Sequence, residues 1–321
     1  MHINISRRTL VKGLIASPLM PSFAQSKNDT CRMIVGFSAG GPTDAIARRL
    51  APIISKKIGK NLIIENKAGA AGMIAGNELK RSSPDGNTIL FAPLGITVLA
   101  PIINKNTLFK FGEFTPISRL FDYDLALSVN AATGIKSLNE LSEFIKKDRS
   151  KANFGSSGVG TMMHFAGELF SRSANLNLTH IPYKGAAPAI NGLLGNEITF
   201  TVGELSGALD LHRAGRINIV ATLGNQRNSA EKEIRFAAEQ GFKDINTEGW
   251  YAVYGPPGMA KEHVDMFNQA FHEAIQELDK TDVFSSQGLR PHISTPGELQ
   301  ALEKFENIKW SKIISDTKFS T

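Results

Sequence analysis

The sequence predicts an α/β protein built as two lobes with a hinge and a ligand cleft between them. Three observations carry this. Short apolar strands alternate with amphipathic helices along most of the chain. Glycine-rich loops join a strand to a helix at two points more than a hundred residues apart, at Gly36–Asp44 and at Gly155–Thr161. About 300 residues remain once a removable leader is set aside, a length that usually divides into two cores.

The leader comes first. Ser6-Arg7-Arg8-Thr9-Leu10-Val11-Lys12 reads as a twin-arginine export signal, Gly13 to Met20 as its apolar run, and Ser22-Phe23-Ala24 as a small-x-small cleavage site. Residues 1–24 are therefore expected to be cut off after Ala24, leaving a periplasmic protein. The apolar run falls short of the ~20 residues that span a bilayer. No lipobox precedes Cys31, so no lipid anchor is expected, and a lone cysteine excludes an internal disulfide. The full chain carries 36 basic and 30 acidic residues; without Arg7, Arg8 and Lys12 the balance is 33 to 30, a net charge of +3. That value, with no dense basic run interleaved with aromatics, argues against nucleic acid as a partner.

The elements follow in order. Arg32–Phe37 predicts a strand, and Ile46, Leu50, Ile53 and Ile54 share one face of the next helix, which Pro52 should kink. Leu62–Glu65 is a strand, Ala71–Arg81 a helix ended by the turn Pro84-Asp85-Gly86, and Thr88–Ala92 a third strand. This run predicts a mostly parallel sheet covered by helices. A second series begins with strand Leu125–Val129 and a helix started by the capping box Ser137-Leu138-Asn139-Glu140. Strand Ala152–Phe154, a helix after Thr161, strand Thr179–Ile181, helix Ala187–Leu194 and strands Ile198–Val202 and Ile217–Ala221 continue it. Strand Trp250–Tyr254 and helix Lys261–Leu278 come next, and Thr295-Pro296-Gly297-Glu298 starts a terminal helix. The last section has too few strands for a domain and should return to the first unit. The expected division is residues 25–124 with 249–321 in lobe 1 and 125–248 in lobe 2.

The loop Gly155–Thr161 runs directly into a helix whose buried face is marked by Met162, Phe165, Ala166 and Leu169. It delivers backbone N–H groups and a positive helix end to one point, a seat for a carboxylate or phosphate. Ligands of open α/β sheets bind outside the carboxyl ends of strands. Two facing lobes would thus put both loops into one cleft. Ser156, Ser157, Gly158 and Thr161 are candidate ligand residues on one side, and Phe37, Ser38, Gly40, Gly41 and Thr43 on the other. His164, one turn further on, either donates to a ligand or packs in the first turn. Lys184, in the turn with Tyr183, adds positive potential or is simply solvated. Asp44 caps a helix start or accepts from a ligand-bound water.

Other chemistries meet obstacles. Gly36-Phe37-Ser38-Ala39-Gly40 fits the G-x-S-x-G pattern of a hydrolase nucleophile, but no earlier strand supplies an oxyanion loop and the helix starts at Pro42. The glycines 155, 158 and 160 lack the Lys-Ser/Thr of a nucleotide loop. No His/Cys/Asp/Glu set has metal spacing, and no cofactor is expected.

Several segments together resemble one family, the Bug-type (TctC-like) solute receptors of tripartite tricarboxylate transporters. They are Val35-Gly36-Phe37-Ser38-Ala39-Gly40-Gly41-Pro42-Thr43-Asp44, Glu65-Asn66-Lys67-Ala68-Gly69-Ala70-Ala71-Gly72, Pro84-Asp85-Gly86, Phe114-Thr115-Pro116-Ile117, Gly155–Thr161, Ile181–Ala189, Ala238–Phe242, Trp250 and Pro256. The match covers essentially all of the chain after the leader, in order. The resemblance implies a type II periplasmic-binding-protein fold and a monomer that closes on a small carboxylate and hands it to a membrane permease. It carries the loops Phe37–Asp44 and Ser156–Thr161 over as ligand contacts, with Gly95–Thr97 (Gly95 and Thr97 above all) and Pro182–Gly185 beside them. The chain departs from the family at Ser38 and Ala39, where prolines are common, and at Met162 and Met163. It departs again at Gly203 and Glu204, where an Asp is common; Glu204 facing the cleft would favour an ammonium-bearing ligand. The reading is a binding protein without catalysis that serves a permease or, in a sensing role, a sensor kinase.

Overall fold

Alternation of buried and half-buried residues makes β1 (Thr30–Val35) a strand with Cys31, Met33, Ile34 and Val35 fully enclosed. The computed structural model describes residue 1 and residues 30–104 and 107–317; apart from Met1, the expected leader lies outside the described residues. From β1 the chain turns into α1 (Pro42–Ile58), which opens with Pro42 in its first turn and stops at Gly59 in a left-handed conformation. Ile46, Leu50 and Ile54 are buried and Ile53 half-buried, and the helix runs on unbroken through Pro52.

β2 (Asn61–Asn66) and β3 (Thr88–Pro93) flank β1 in parallel, with α2 (Met73–Arg81) between them. The helix starts two residues later than the apolar pattern predicts, because Ala70 and Ala71 hold φ of 47° and 53° in a tight turn. A wide π-type turn at Gly95–Leu99 leads into the short α3 (Ala100–Ile103), neither of which the pattern announces.

β4 spans Thr115–Asn130, far longer than the Leu125–Val129 expected. Its first ten residues carry Pro116, Arg119, Asp122 and Asp124, which hide the strand pattern. Those charges are paired in the fold: Arg119 with Asp122, and buried Asp124 with Arg290 at 2.9 and 3.1 Å and Asn228 at 2.6 Å. α4 (Leu138–Lys147) is capped by Ser137, whose Oγ accepts from Glu140 N, while the Glu140 carboxylate reaches Lys136 N. Then come β5 (Asn153–Ser156), α5 (Met162–Ser173), β6 (Thr179–Pro182), α6 (Ala186–Leu194), β7 (Phe200–Glu204), α7 (Leu205–Arg213) and β8 (Ile217–Thr222). β9 (Glu248–Gly255), α8 (Lys261–Asp279), β10 (Leu289–Pro291) and α9 (Pro296–Thr317) complete the chain. Thr295 and Glu298 exchange the reciprocal capping bonds that the sequence announces for α9.

The strands form one curled sheet in the order β2-β1-β3-β9-β4-β7-β5-β6, with β8 and β10 also paired to β4. β9 enters antiparallel between β3 and β4, so the C-terminal section does return to the first one. β4 bridges two halves: Thr115–Asp124 pair with β9, and Leu125–Asn130 with β7 and β8. Tyr123 and Tyr251, both fully buried, pack with tilted rings whose centroids are 4.6 Å apart, close to this switch of partners. The half that holds β1 ends its parallel strands at loops 36–41 and 94–99. The half that holds β5 ends its own at loops 157–161 and 183–185, and these loops meet.

Candidate functional site

The loop after β1 is organised from beneath by Asp44. Its buried carboxylate accepts from Gly40 N at 2.9 Å, Arg48 Nε at 2.9 Å and Asn66 Nδ2 at 3.0 Å, and Asn66 Nδ2 also donates to Phe37 O. Burial alone would raise the Asp44 pKa, but the bonds from Arg48, Gly40 and Asn66 outweigh it and hold it below the usual carboxylate range. Asp44 thus shapes the loop. Thr43 is also buried and shares a 3.5 Å hydrogen bond with the Tyr251 hydroxyl. Ser38 Oγ is enclosed and has no hydrogen-bond partner among the described residues.

The loop after β5 is knitted just as closely. Ser156, with no exposed surface, places its Oγ 2.7 Å from His180 Nε2 and 3.2 Å from Gly158 O. Thr161 is the N-cap of α5: its Oγ1 donates to Gly158 O and accepts from His164 N. Gly158 N donates to Ser156 Oγ, and Gly160 N to His164 Nδ1 at 3.1 Å. His164 therefore holds the loop in shape, with its Nδ1 unprotonated. Among the described residues, Ser157 Oγ donates only to the Met163 sulfur at 3.4 Å, a weak acceptor.

The His164 and His180 rings stack with centroids 3.8 Å apart. Burial lowers His164 from 6.5 to about 4; burial, and then the neighbouring His164, lowers His180 to about 3. Both stay neutral in the fold while the unfolded chain takes up protons near pH 6.5. The stability they contribute is full above that pH and lost as pH falls toward 4 and then 3. Thermal melts from pH 7.5 to 4 should fall steadily with acid, and the H164N/H180Q double variant should flatten that slope; an equally steep slope would assign it to other groups.

A cleft of about 310 Å³ lies between the two halves. Phe37, the Gly69–Met73 turn, Ala100, Ile103 and Asn104 wall it on one side. Ser157, Gly158, Val159 and Gly160, with Pro182, Tyr183 and Lys184, wall it on the other. Lys184 is exposed and in no ion pair among the described residues; the Tyr183 hydroxyl donates to Glu197 at 3.1 Å. The halves touch beside the cleft through glycines. A Cβ on Gly185 would stand 2.5 Å from Ser38 Oγ, one on Gly207 2.7 Å from Pro42, and one on Gly158 3.6 Å from Ala71 Cα. Gly40 and Gly41 line a separate cavity of about 250 Å³, with Arg49, Ala186 and Ser206.

The remaining predicted residues lie elsewhere. Thr97 is buried and donates to the Tyr254 hydroxyl at 3.3 Å, which in turn donates to Glu303; Gly95, in the same turn, lines neither cavity. Gly203 and Glu204 line neither as well. Glu204 is buried under Tyr251, with one carboxyl oxygen unpartnered, and burial, offset in part by a bond to Tyr251, raises it to about 7. Met162 and Met163 are buried behind the loop. Among the described residues no base is hydrogen-bonded to Ser38 Oγ, and Ser156, beside His180, has no exposed surface. Conversely, the turn at 69–73 and the segment 100–104 belong to the cleft without having been singled out as site residues. The glycines at 69 and 72, flanking two alanines in left-handed conformations, are the signal that could have pointed there. Among the described residues, no group of three His, Cys, Asp or Glu could hold a metal ion, and no helix is long and apolar enough to cross a membrane.

A family model described as the tripartite tricarboxylate transporter family receptor matches residues 46–319. BugT of Bordetella pertussis is 29% identical over 291 residues, covering 89% of this chain and 88% of BugT. The periplasmic binding protein BugD has a structure similar to this one, with a TM-score of 0.86 at 27% identity over 91% of this chain and 98% of BugD. Rpa4515 of R. palustris with adipate gives a TM-score of 0.85 at 25% identity, over 89% of this chain and 96% of that one.

Proposed function

Because the chain belongs to the tripartite tricarboxylate transporter receptor family, we propose that it captures a small carboxylate in the periplasm and passes it to a membrane permease. The observation that carries the reading is the cleft itself. Loops from both halves wall it, and one wall presents Ser157 and Lys184 beside the start of α5. A carboxylate seated there would gain the helix dipole, a hydroxyl held by a weak sulfur acceptor, and an ammonium that has no ion partner among the described residues. The bound adipate of Rpa4515 supports this ligand class.

The two halves act as lobes, residues 25–124 with 249–321 against 125–248. They close about the points where β4 and β9 carry the chain across, and closure brings the two half-sites together. Mass spectrometry of small molecules released by denaturing the purified protein tests the reading. A stoichiometric carboxylate is the expected result. A preparation that releases none, and that binds none on titration, would exclude it. Delivery is tested separately by co-purification of the liganded protein with permease subunits from detergent extracts.

Lys184→Gln should weaken carboxylate binding about two- to fivefold at low salt, since an exposed ion pair contributes about 0.5–1 kcal/mol. The difference from the unmodified protein should shrink as salt is raised. Calorimetric titrations at two ionic strengths measure both.

A further inference from the structure

We infer that the ligand is a monocarboxylate with an apolar body, aromatic or branched aliphatic, rather than a dicarboxylate, a tricarboxylate or an amino acid; this rests on the carboxylate-receptor reading above. The cleft carries its cationic charge on one wall. Lys184 is the single cationic side chain among its described lining residues, and Ser157 stands on the same wall. No aspartate or glutamate is among the described lining residues, and Glu204 lies outside the cleft. The opposite wall presents the apolar side chains of Phe37, Ala70, Ala71, Met73, Ala100 and Ile103, with Asn104 as its one polar side chain among the described lining residues.

Apolar surface is left open in the site. Val159, within the loop that seats the carboxylate, is 44% exposed, and Ile103 is half-buried opposite it, 3.5 Å from where a Cβ on Gly160 would stand. An apolar ligand body laid between these two side chains would remove both from water, the ordinary driving force for such burial. Neither wall offers a second carboxylate a counter-charge: Asn104, on the apolar wall, is neutral and its Nδ2 reaches the Met73 sulfur at 3.4 Å, and the Tyr183 hydroxyl, on the Lys184 wall, is turned to Glu197. A second carboxylate would lie among alanines, a methionine and an isoleucine without a counter-charge, and an ammonium group would lack a carboxylate partner. Burying an unpaired charge is unfavourable in either case. The volume of about 310 Å³ suits a compact ligand.

Calorimetric titration of the full chain, freed of bound ligand by reversible unfolding, tests the inference with benzoate, phenylacetate, 4-methylpentanoate, adipate and glutamate. At least one of the three apolar monocarboxylates should bind about tenfold or more tightly than both adipate and glutamate, and the preference should fall in the uncharged variant Val159→Ser. Adipate or glutamate binding as tightly as the apolar acids would overturn the inference and leave the carboxylate-receptor reading standing. Binding of none of the five, with no carboxylate released from the purified protein, would bring down both.

Discussion

Replacing Gly185 with alanine is expected to weaken ligand binding by about 10- to 100-fold, corresponding to ~1.4–2.8 kcal/mol. Two effects act at this residue and can be separated. Its φ of 134° and ψ of 175° lie in a region used almost only by glycine, so any side chain costs about 1–3 kcal/mol in the folded state, open or closed. The added Cβ would also stand 2.5 Å from Ser38 Oγ and 3.3 Å from Ser38 N. The second of these is backbone and cannot rotate away. The strain lowers the melting temperature whether or not ligand is present, whereas the collision acts only when the halves come together. Gly134→Ala is the control for strain alone, because Gly134 has a φ of 71° and nothing within 4 Å of a Cβ. Small-angle scattering should find Gly185→Ala more extended than the unmodified protein under saturating ligand. Equal affinity and equal dimensions in the two variants would show that the Ser38–Gly185 contact plays no part in closure.

Asp44→Ala should cost about 2–4 kcal/mol of stability, the range for removing a buried carboxylate that several donors share. The loss leaves Gly40 N without its acceptor and unties Asn66 from the loop, so the 37–41 segment should also become protease-sensitive. The pH dependence has a definite sign. The folded pKa of Asp44 is depressed, so its contribution is complete above the unfolded value near 3.9 and is lost as pH falls through the folded one. Urea titrations at pH 7 and at pH 3 measure this. The gap between Asp44→Ala and the unmodified protein should narrow at the lower pH; an unchanged gap would mean that the charge of Asp44 is not what holds the loop.

The alternation of strands and helices was legible because burial imposes periods of two and 3.6 on apolar residues, and β1, α1, β2, β3, β6 and α6 lie within two or three residues of where that pattern puts them. It failed where charge interrupts the pattern and a distant partner neutralises it. The first ten residues of β4 are strand because Arg290, 166 residues away, satisfies Asp124 and because β9 supplies a ladder. The turn at Ala70–Ala71 was equally hidden, since two alanines read locally as helix, whereas in the fold both are left-handed within a turn closed by Gly72 N donating to Gly69 O at 3.0 Å.

By itself the sequence determined the fold class and the two glycine loops at strand ends, and its ordered motifs carried the resemblance to the family. The fold class and the loops follow from backbone geometry and apolar spacing, which are written in nearest neighbours. Which hydroxyls are tied up inside the fold was decided only in the tertiary structure. Ser156 turns to His180, Thr161 to its own helix, and Thr43 to Tyr251, 208 residues on. A buried hydroxyl takes whatever partner the fold brings within 3 Å or so, and that partner is not readable from the residues beside it. The walls of the cleft were decided in the same way, by which loops of the two halves meet.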